Sequence, residues 1–250
     1  MRTRILILLI GLAGCGAPAS QTTTTASTTP NVRLADAAFA SGNPGIALQA
    51  LDNLLATEPN NTDALLRHAR ADLMVGNKAS AETSYRRALA ANSSLTEAHM
   101  GLGKILLATN AAEAEAQFAE VVREDRHNVS ALNNLGVARD LQGKHPEAQE
   151  AYRSALAEQP GLASARQNLG LSLAVSGKPE EGVQMLGSAA QNGGADRKAR
   201  DNFAVALAMT GRTQEAGKVL QEEMSSDDAS KVIASLRALR GSPPSPTPTE

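Results

Sequence analysis

The chain has 250 residues, a net charge of −2, a single cysteine, no tryptophan and only 2% aromatic residues. Basic and acidic residues alternate along it without a basic stripe, which argues against nucleic-acid binding. One cysteine excludes an intrachain disulfide and a zinc site built from several cysteines. The abundance of alanine and the scarcity of aromatic residues favour thin helices that pack through small side chains.

The N-terminus has the pattern of a secretory signal. Arg2 and Arg4 precede an apolar run from Ile5 to Leu12, which is too short for a membrane-spanning helix of about 20 residues. The run ends in the letters LAGC, with Cys15 last, and this motif resembles the bacterial lipobox. We therefore predict a lipoprotein signal peptide over residues 1–14, and the alternative is an ordinary signal peptide with a cysteine placed there by chance.

The lipobox resemblance implies cleavage before Cys15 and acylation of that residue. Several acyl chains hold a protein on its membrane, whereas one chain anchors it only marginally. Gly16 follows, and not the Asp that retains such proteins in the inner membrane, so the resemblance implies a lipid anchor on the periplasmic face of the bacterial outer membrane. Residues 15–31, which are rich in Thr, Ser, Ala and Pro, are expected to form a flexible tether.

A pattern of 34 residues then recurs six times. We place the copies at residues 28–61, 62–95, 96–128, 129–162, 163–196 and 197–230, and expect the helical solenoid to span residues 32–230. The third copy is one residue short, with Asn110 interpreted as the replacement for a glycine that the other five copies share. In the fourth copy this glycine is Gly143.

Each copy has the pattern of a helix hairpin. In the fourth copy, Leu135 and Gly136 lie along a first helix, and the small residue allows close approach of a second helix. Gly143 suits the turn after a helix C-terminus, and Pro160 stops the second helix. A hairpin of this kind cannot bury its apolar face alone, so stacked copies must form one continuous core.

This pattern resembles the tetratricopeptide repeat (TPR). The positions that carry the resemblance in the second helix are Ala148, Tyr152 and Ala155, which share one face. We therefore predict an all-α fold, a right-handed TPR superhelical solenoid of six helix hairpins. A C-terminal capping helix over residues 228–240, with Val232, Ile233, Leu236 and Leu239 on one face, is expected to cover the last repeat. The Pro-rich residues 241–250 are expected to be disordered.

Positions 2, 5, 6, 9, 12 and 13 of each first helix share one face, and we call the surface that they form along the solenoid the groove. Position 6 is asparagine in the last three repeats: Asn134, Asn168 and Asn202. Because an amide both donates and accepts, this ladder could hold the backbone of an extended peptide, as resemblance to peptide-binding TPR proteins implies. The alternative is that these amides are merely solvated.

Neighbouring groove positions add Asn133 and Gln167 to the amide half, and Arg70 and Lys104 to the N-terminal half. The predicted peptide-binding groove is therefore basic and apolar in its N-terminal half and polar in its C-terminal half. The alternative for Arg70 and Lys104 is a solvated charged face.

The sequence offers no catalytic or metal-binding pattern. The four histidines do not form a metal-binding pair, and no phosphate-binding loop or nucleophile elbow occurs. We therefore expect a non-enzymatic protein without a cofactor, a metal or a small-molecule substrate, whose partners are proteins.

The lipobox, the Thr-rich spacer, the length and phrases such as LNNLGVARDLQGKHPEAQEAYRSAL resemble the TadD family of tight-adherence (Flp, type IVb) pilus assembly lipoproteins. This resemblance implies a scaffold that assists assembly of a pilus secretion system, with the secretin among its partners. Two alternatives remain open. One is an envelope adaptor that recruits proteases or peptidoglycan enzymes, and the other is a pilotin of a type IVa pilus or type II system.

Overall fold

The computed structural model describes residues 29–191 and 197–240, and every regular element in them is an α-helix. The absence of strands from these residues confirms the predicted all-α class. In chain order the helices are α1 (Pro30–Ala40), α2 (Pro44–Thr57), α3 (Thr62–Met74), α4 (Lys78–Ala91), α5 (Thr96–Leu106), α6 (Ala111–Glu124), α7 (Val129–Asp140), α8 (His145–Glu158), α9 (Ala163–Val175), α10 (Pro179–Gln191), α11 (Arg197–Thr210), α12 (Thr213–Gln221) and α13 (Ser226–Arg240).

The first twelve helices pair in sequence order into six hairpins. Each hairpin packs on the next, and among the first helices α1 contacts α3, α7 contacts α9 and α9 contacts α11. Helix α13 packs against α11 and α12. The hairpins thus stack into a TPR superhelix with a C-terminal cap, as predicted, and the first helices form the continuous face that carries the groove.

Five turn glycines end the first helices of their repeats. Each has a positive φ, the left-handed conformation that glycine adopts without steric cost: Gly42 (69°), Gly76 (81°), Gly143 (74°), Gly177 (92°) and Gly211 (93°). After Gly143, the N–H of Lys144 bonds to the carbonyl of Arg139 at 3.0 Å, which satisfies a carbonyl at the helix end. These contacts confirm the turn role predicted for the shared glycine.

The third repeat differs from the prediction at Asn110. Asn110 has a φ of −149° and caps α6, where its side chain accepts a hydrogen bond from the N–H of Glu113. It therefore occupies the capping place that Lys144 holds in the fourth repeat, and it does not replace the glycine. Its N–H bonds to Leu106, four residues back, at 2.7 Å, whereas Lys144 bonds five residues back, so the missing residue shortens the stretch that ends the first helix.

Close approach within a hairpin occurs where the small residue was predicted. A Cβ placed on Gly136 would lie 2.5 Å from Cε1 of Tyr152, so the ring of Tyr152 fills the space that any larger residue at 136 would need. Ala148, Tyr152 and Ala155 are all at most 1% exposed. The predicted helix face of the fourth repeat is therefore fully buried.

The first and last helices each begin two residues before their expected start, at Pro30 for α1 and at Ser226 for α13. Helix α1 begins at Pro30, two residues before the expected start, because the hydroxyl of Thr29 caps it by accepting from the N–H of Val32 at 3.4 Å. At the other end α13 buries Ala229 and Ile233 against the last hairpin, and Val232 and Leu236 pack beside them. The side chain of Leu239 lies outside the described residues.

Candidate functional site: the groove

The seven residues predicted for the groove all lie on first helices. Arg70 is on α3, Lys104 on α5, Asn133 and Asn134 on α7, Gln167 and Asn168 on α9, and Asn202 on α11. Since each hairpin packs on the next, these side chains follow the solenoid from its second repeat to its sixth.

The three asparagines of the ladder are not equivalent. Nδ2 of Asn168 donates to Oδ1 of Asn133 at 3.1 Å, and Nζ of Lys198 donates to Oδ1 of Asn168 at 3.4 Å. Asn134 is partly exposed, and its side chain forms no hydrogen bond within residues 29–191 and 197–240. The amide of Asn134 is therefore open to a ligand, while that of Asn168 is already engaged by two neighbours.

The amide of Asn202 is buried, with 8% of the residue exposed. Its Nδ2 has no hydrogen-bond partner within the described residues, which is costly for a buried donor. Gln167 is also buried, at 7% exposure. The amide half of the groove thus contains one open amide at Asn134 and an unsatisfied donor at Asn202.

In the N-terminal half, most arginines are neutralised by neighbouring carboxylates. Arg70 lies 3.3 Å from Glu97, with its guanidinium 6.0 Å from the ring centre of Phe39. Arg67 forms ion pairs with Asp36 and Asp63. The exposed Lys104, in contrast, forms no ion pair within the part of the chain that the structure describes, so its charge remains available to a partner.

Lys104 borders a hollow of about 390 Å³ in the groove. At position 6, where other repeats carry Arg or Asn, this repeat has Gly101, and the ring of Tyr85 lies where a side chain at this position would be. Its lining consists of Leu73, Lys78, Tyr85, Glu97, Met100, Gly101, Lys104, Ile105 and Ala108.

The repeat pattern does not predict this hollow. The signal that could have revealed it is the combination of Gly101 with Tyr85 sixteen residues earlier. A Cβ on Gly101 would lie 2.2 Å from Cζ of Tyr85, so the tyrosine ring occupies the space beneath the glycine. Burial raises the pKa of Tyr85, which keeps its phenol neutral at the base of the hollow.

Three side chains are linked in the order serine, histidine and aspartate, as in a hydrolytic triad. The ring of His68 lies 3.1 Å from Oγ of Ser84 through Nδ1 and 3.1 Å from Asp52 through Nε2. However, Ser84 is only 3% exposed, and Nδ1 is also 3.0 Å from the buried Asp72. A substrate cannot reach the Ser84 hydroxyl, so these contacts join α2, α3 and α4 and do not form an active site.

The other histidines also make contacts between structural elements. His99 bonds to Gln117 at 2.8 Å, His127 to Glu158 at 2.9 Å and His145 to Asp140 at 2.9 Å. Within residues 29–191 and 197–240, no three His, Cys, Asp or Glu side chains are grouped as a metal site would require.

Cys15, the signal peptide and most of the tether lie outside the described residues, as does the tail over residues 241–250. None of the helices that the structure describes combines the length and apolar character needed to cross a bilayer.

Comparison with known families gives two matches. Residues 38–105 match one tetratricopeptide-repeat model and residues 108–163 match another. Among curated protein sequences, none is significantly similar to this chain.

Solved structures show the same fold at low sequence identity. The structure from a functional characterization of Pseudomonas aeruginosa pilF has a TM-score of 0.64 and 18% identity, covering 82% of this chain and 96% of that one. MamA 41-end from Desulfovibrio magneticus RS-1 has a TM-score of 0.60 and 20% identity, covering 63% and 90%. YrrB, described as a TPR protein with an unusual peptide-binding site, has a TM-score of 0.55 and 19% identity, covering 78% and 97%.

Proposed function

Because this chain is a tetratricopeptide-repeat protein, we propose that it is a non-catalytic adaptor that binds an extended segment of a partner protein in its groove. Repeat solenoids typically use such continuous inner surfaces to bind other proteins. The finer proposal places the adaptor on the periplasmic face of the outer membrane, held by acyl chains on Cys15, where it assists assembly of a tight-adherence pilus secretion system.

The adaptor proposal rests on the polar groups and the hollow along the groove that remain available to a ligand. Asn134 presents an unengaged amide, Lys104 presents an unpaired charge within the described residues, and a hollow opens beside Gly101. An amide that donates and accepts matches a peptide backbone, and a hollow matches one side chain. Together these features support recognition of a peptide segment.

The pilus role is supported by the lipobox LAGC, the Thr-rich spacer and the consecutive repeat phrases that resemble the TadD family. It can be tested by tagging the full-length chain in its own bacterium, solubilising the envelope with detergent and identifying the proteins that co-purify. We expect a secretin subunit or another pilus component. Recovery of proteases or peptidoglycan enzymes without any pilus component would favour the alternative of an envelope recruiting adaptor.

The anchor is tested separately with Cys15→Ser. The variant lacks the acylated residue, so we expect it to leave the outer-membrane fraction and appear unlipidated by mass spectrometry. Unchanged fractionation would contradict the proposed anchor and would leave the adaptor role of the groove intact.

A further inference from the structure

We propose that the hollow beside Gly101 is a specificity pocket that takes one bulky apolar side chain from an acidic segment of the partner. This inference rests on the proposed function of the groove and adds the class of segment that the groove selects. The hollow lies between α3, α4 and α5, and its residues come from all three helices.

The interior of the pocket is apolar. Leu73, Met100 and Ile105 contribute aliphatic surface, and the ring of Tyr85 lies beneath Gly101. Leu73 is 39% exposed. Its burial by a bound side chain is favourable. A hollow of about 390 Å³ is within the size range of pockets that bind small ligands, so one large side chain fits its chemistry and its volume.

The apolar surface continues beyond the hollow. Met74 and Val75, which follow Leu73 along the chain, are 51% and 50% exposed. Burial of these exposed apolar side chains by a partner is favourable. The residues that flank the inserted side chain of the partner can cover them.

The rim of the pocket selects the charge of the segment. Lys78 and Lys104 are both exposed, and neither forms an ion pair within residues 29–191 and 197–240. Glu97 is the acidic group of the lining, and Arg70 neutralises it at 3.3 Å. The rim therefore carries two uncompensated positive charges, which attract an acidic segment and repel a basic one.

The pocket can be tested with a probe peptide and the methionine methyl signals of the full-length chain in detergent. The peptide has one central phenylalanine with two acidic residues on each side, and the matched peptides replace the phenylalanine by alanine or the acidic residues by lysines. Met100 lines the pocket, while Met185 on α10, Met209 on α11 and Met224 between α12 and α13 lie elsewhere and report on non-specific effects.

We expect the acidic phenylalanine peptide to shift the Met100 methyl signal, and the two matched peptides to bind at least about tenfold more weakly. Lys78→Glu with Lys104→Glu should weaken binding by a similar factor, and the matched control Lys178→Glu with Lys218→Glu should not. Both pairs reverse the charge of exposed lysines, so the fold is equally preserved in each.

The pocket proposal fails if the alanine peptide binds as well as the phenylalanine peptide, or if the two lysine pairs behave alike. It also fails if the Met100 signal shifts with protein concentration alone, because a second copy of the chain would then occupy the pocket. In each of these cases the adaptor proposal stands if variants elsewhere in the groove, such as Asn134→Ala, still lose the natural partner.

Discussion

Nδ2 of Asn168 donates to Oδ1 of Asn133 at 3.1 Å, across the boundary between α7 and α9. The asparagine ladder is therefore partly a contact between repeats as well as a surface for a ligand. Within it, Asn134 is the residue whose side chain is both partly exposed and without a hydrogen bond in the described residues. The three ladder positions should consequently respond differently to mutation.

Asn134→Ala should weaken partner binding without unfolding the protein. The substitution removes one or two hydrogen bonds to a bound backbone, each worth about 0.5–1.5 kcal/mol, so we expect roughly 3- to 10-fold lower affinity. Affinity for the recovered partner can be measured by calorimetry, with thermal unfolding as the check on stability. An unchanged affinity would reduce Asn134 to a solvated surface residue.

Asn202→Leu should stabilise the protein. The substitution replaces a buried amide whose Nδ2 has no partner in the described residues with an apolar side chain of similar size, and we expect a gain of about 1 kcal/mol. The matched control is Asn168→Leu, which removes the bond to Asn133 and should lower stability by about the same amount. Urea unfolding of the two variants measures both changes, and a destabilised Asn202→Leu would show that this amide has a partner in solution.

Periodicity predicted the helix pairs, the turn glycines and the close approach of a second helix at Gly136, because each depends on residues that recur at fixed spacing. It did not predict the role of Asn110, since a deletion shifts the register and only the backbone shows which position was lost. It also missed the hollow beside Gly101. The ring of Tyr85 lies where a side chain at position 101 would be, and this placement depends on how α4 packs on α5, which the repeat pattern does not specify.

The hydrogen-bond partners of the groove asparagines could not be predicted from the sequence for a similar reason. Asn133 and Asn168 are 35 residues apart, and their hydrogen bond depends on the angle between α7 and α9. The repeat pattern fixes which helices are adjacent, whereas the rotation of each helix decides which of two neighbouring polar residues meets a partner. Asn133 and Asn134 are the same type of residue, but Asn133 accepts a hydrogen bond from Asn168 and the side chain of Asn134 forms none within the described residues.

Gly136→Leu should destabilise the fold by overpacking. Even the first carbon of the new side chain would lie 2.5 Å from the ring of Tyr152, and forced repacking of this kind costs about 1–3 kcal/mol. Gly161→Ala is the matched control, because no atom lies within 4 Å of its added Cβ. Denaturant unfolding should separate the two variants, and equal stabilities would show that the helix register is incorrect.

Glu115 on α6 joins the third repeat to the fourth. Its carboxylate accepts hydrogen bonds from Arg139 at 2.9 Å, from Gln142 at 2.9 Å and from Lys144 at 2.8 Å. Burial alone would raise the pKa of Glu115, but the bonds from Lys144, Arg139 and Gln142 outweigh it and lower the pKa to about 2. The ionised carboxylate therefore stabilises the folded state.

Glu115→Gln should consequently destabilise the protein at neutral pH, by roughly 1–3 kcal/mol. A lowered pKa in the folded state means that the contribution is fully present above pH 4.5 and is lost as the pH falls towards 2. The difference in unfolding free energy between the wild type and Glu115→Gln should therefore shrink across that range. Glu120→Gln changes a partly exposed carboxylate whose pKa is lowered by the hydrogen bond from Arg123 on the same helix, and it should show a weaker dependence because solvent screens this pair.

The central claim is that the face formed by the first helices binds the partner. It is tested most directly by placing a photo-crosslinking amino acid at Lys104, at Asn134 and, as a control, at the exposed Arg153 on the second helix α8, in the full-length chain in its own cells. We expect crosslinks to one partner protein from positions 104 and 134 and none to it from position 153. Crosslinks to that partner from position 153 alone would contradict it.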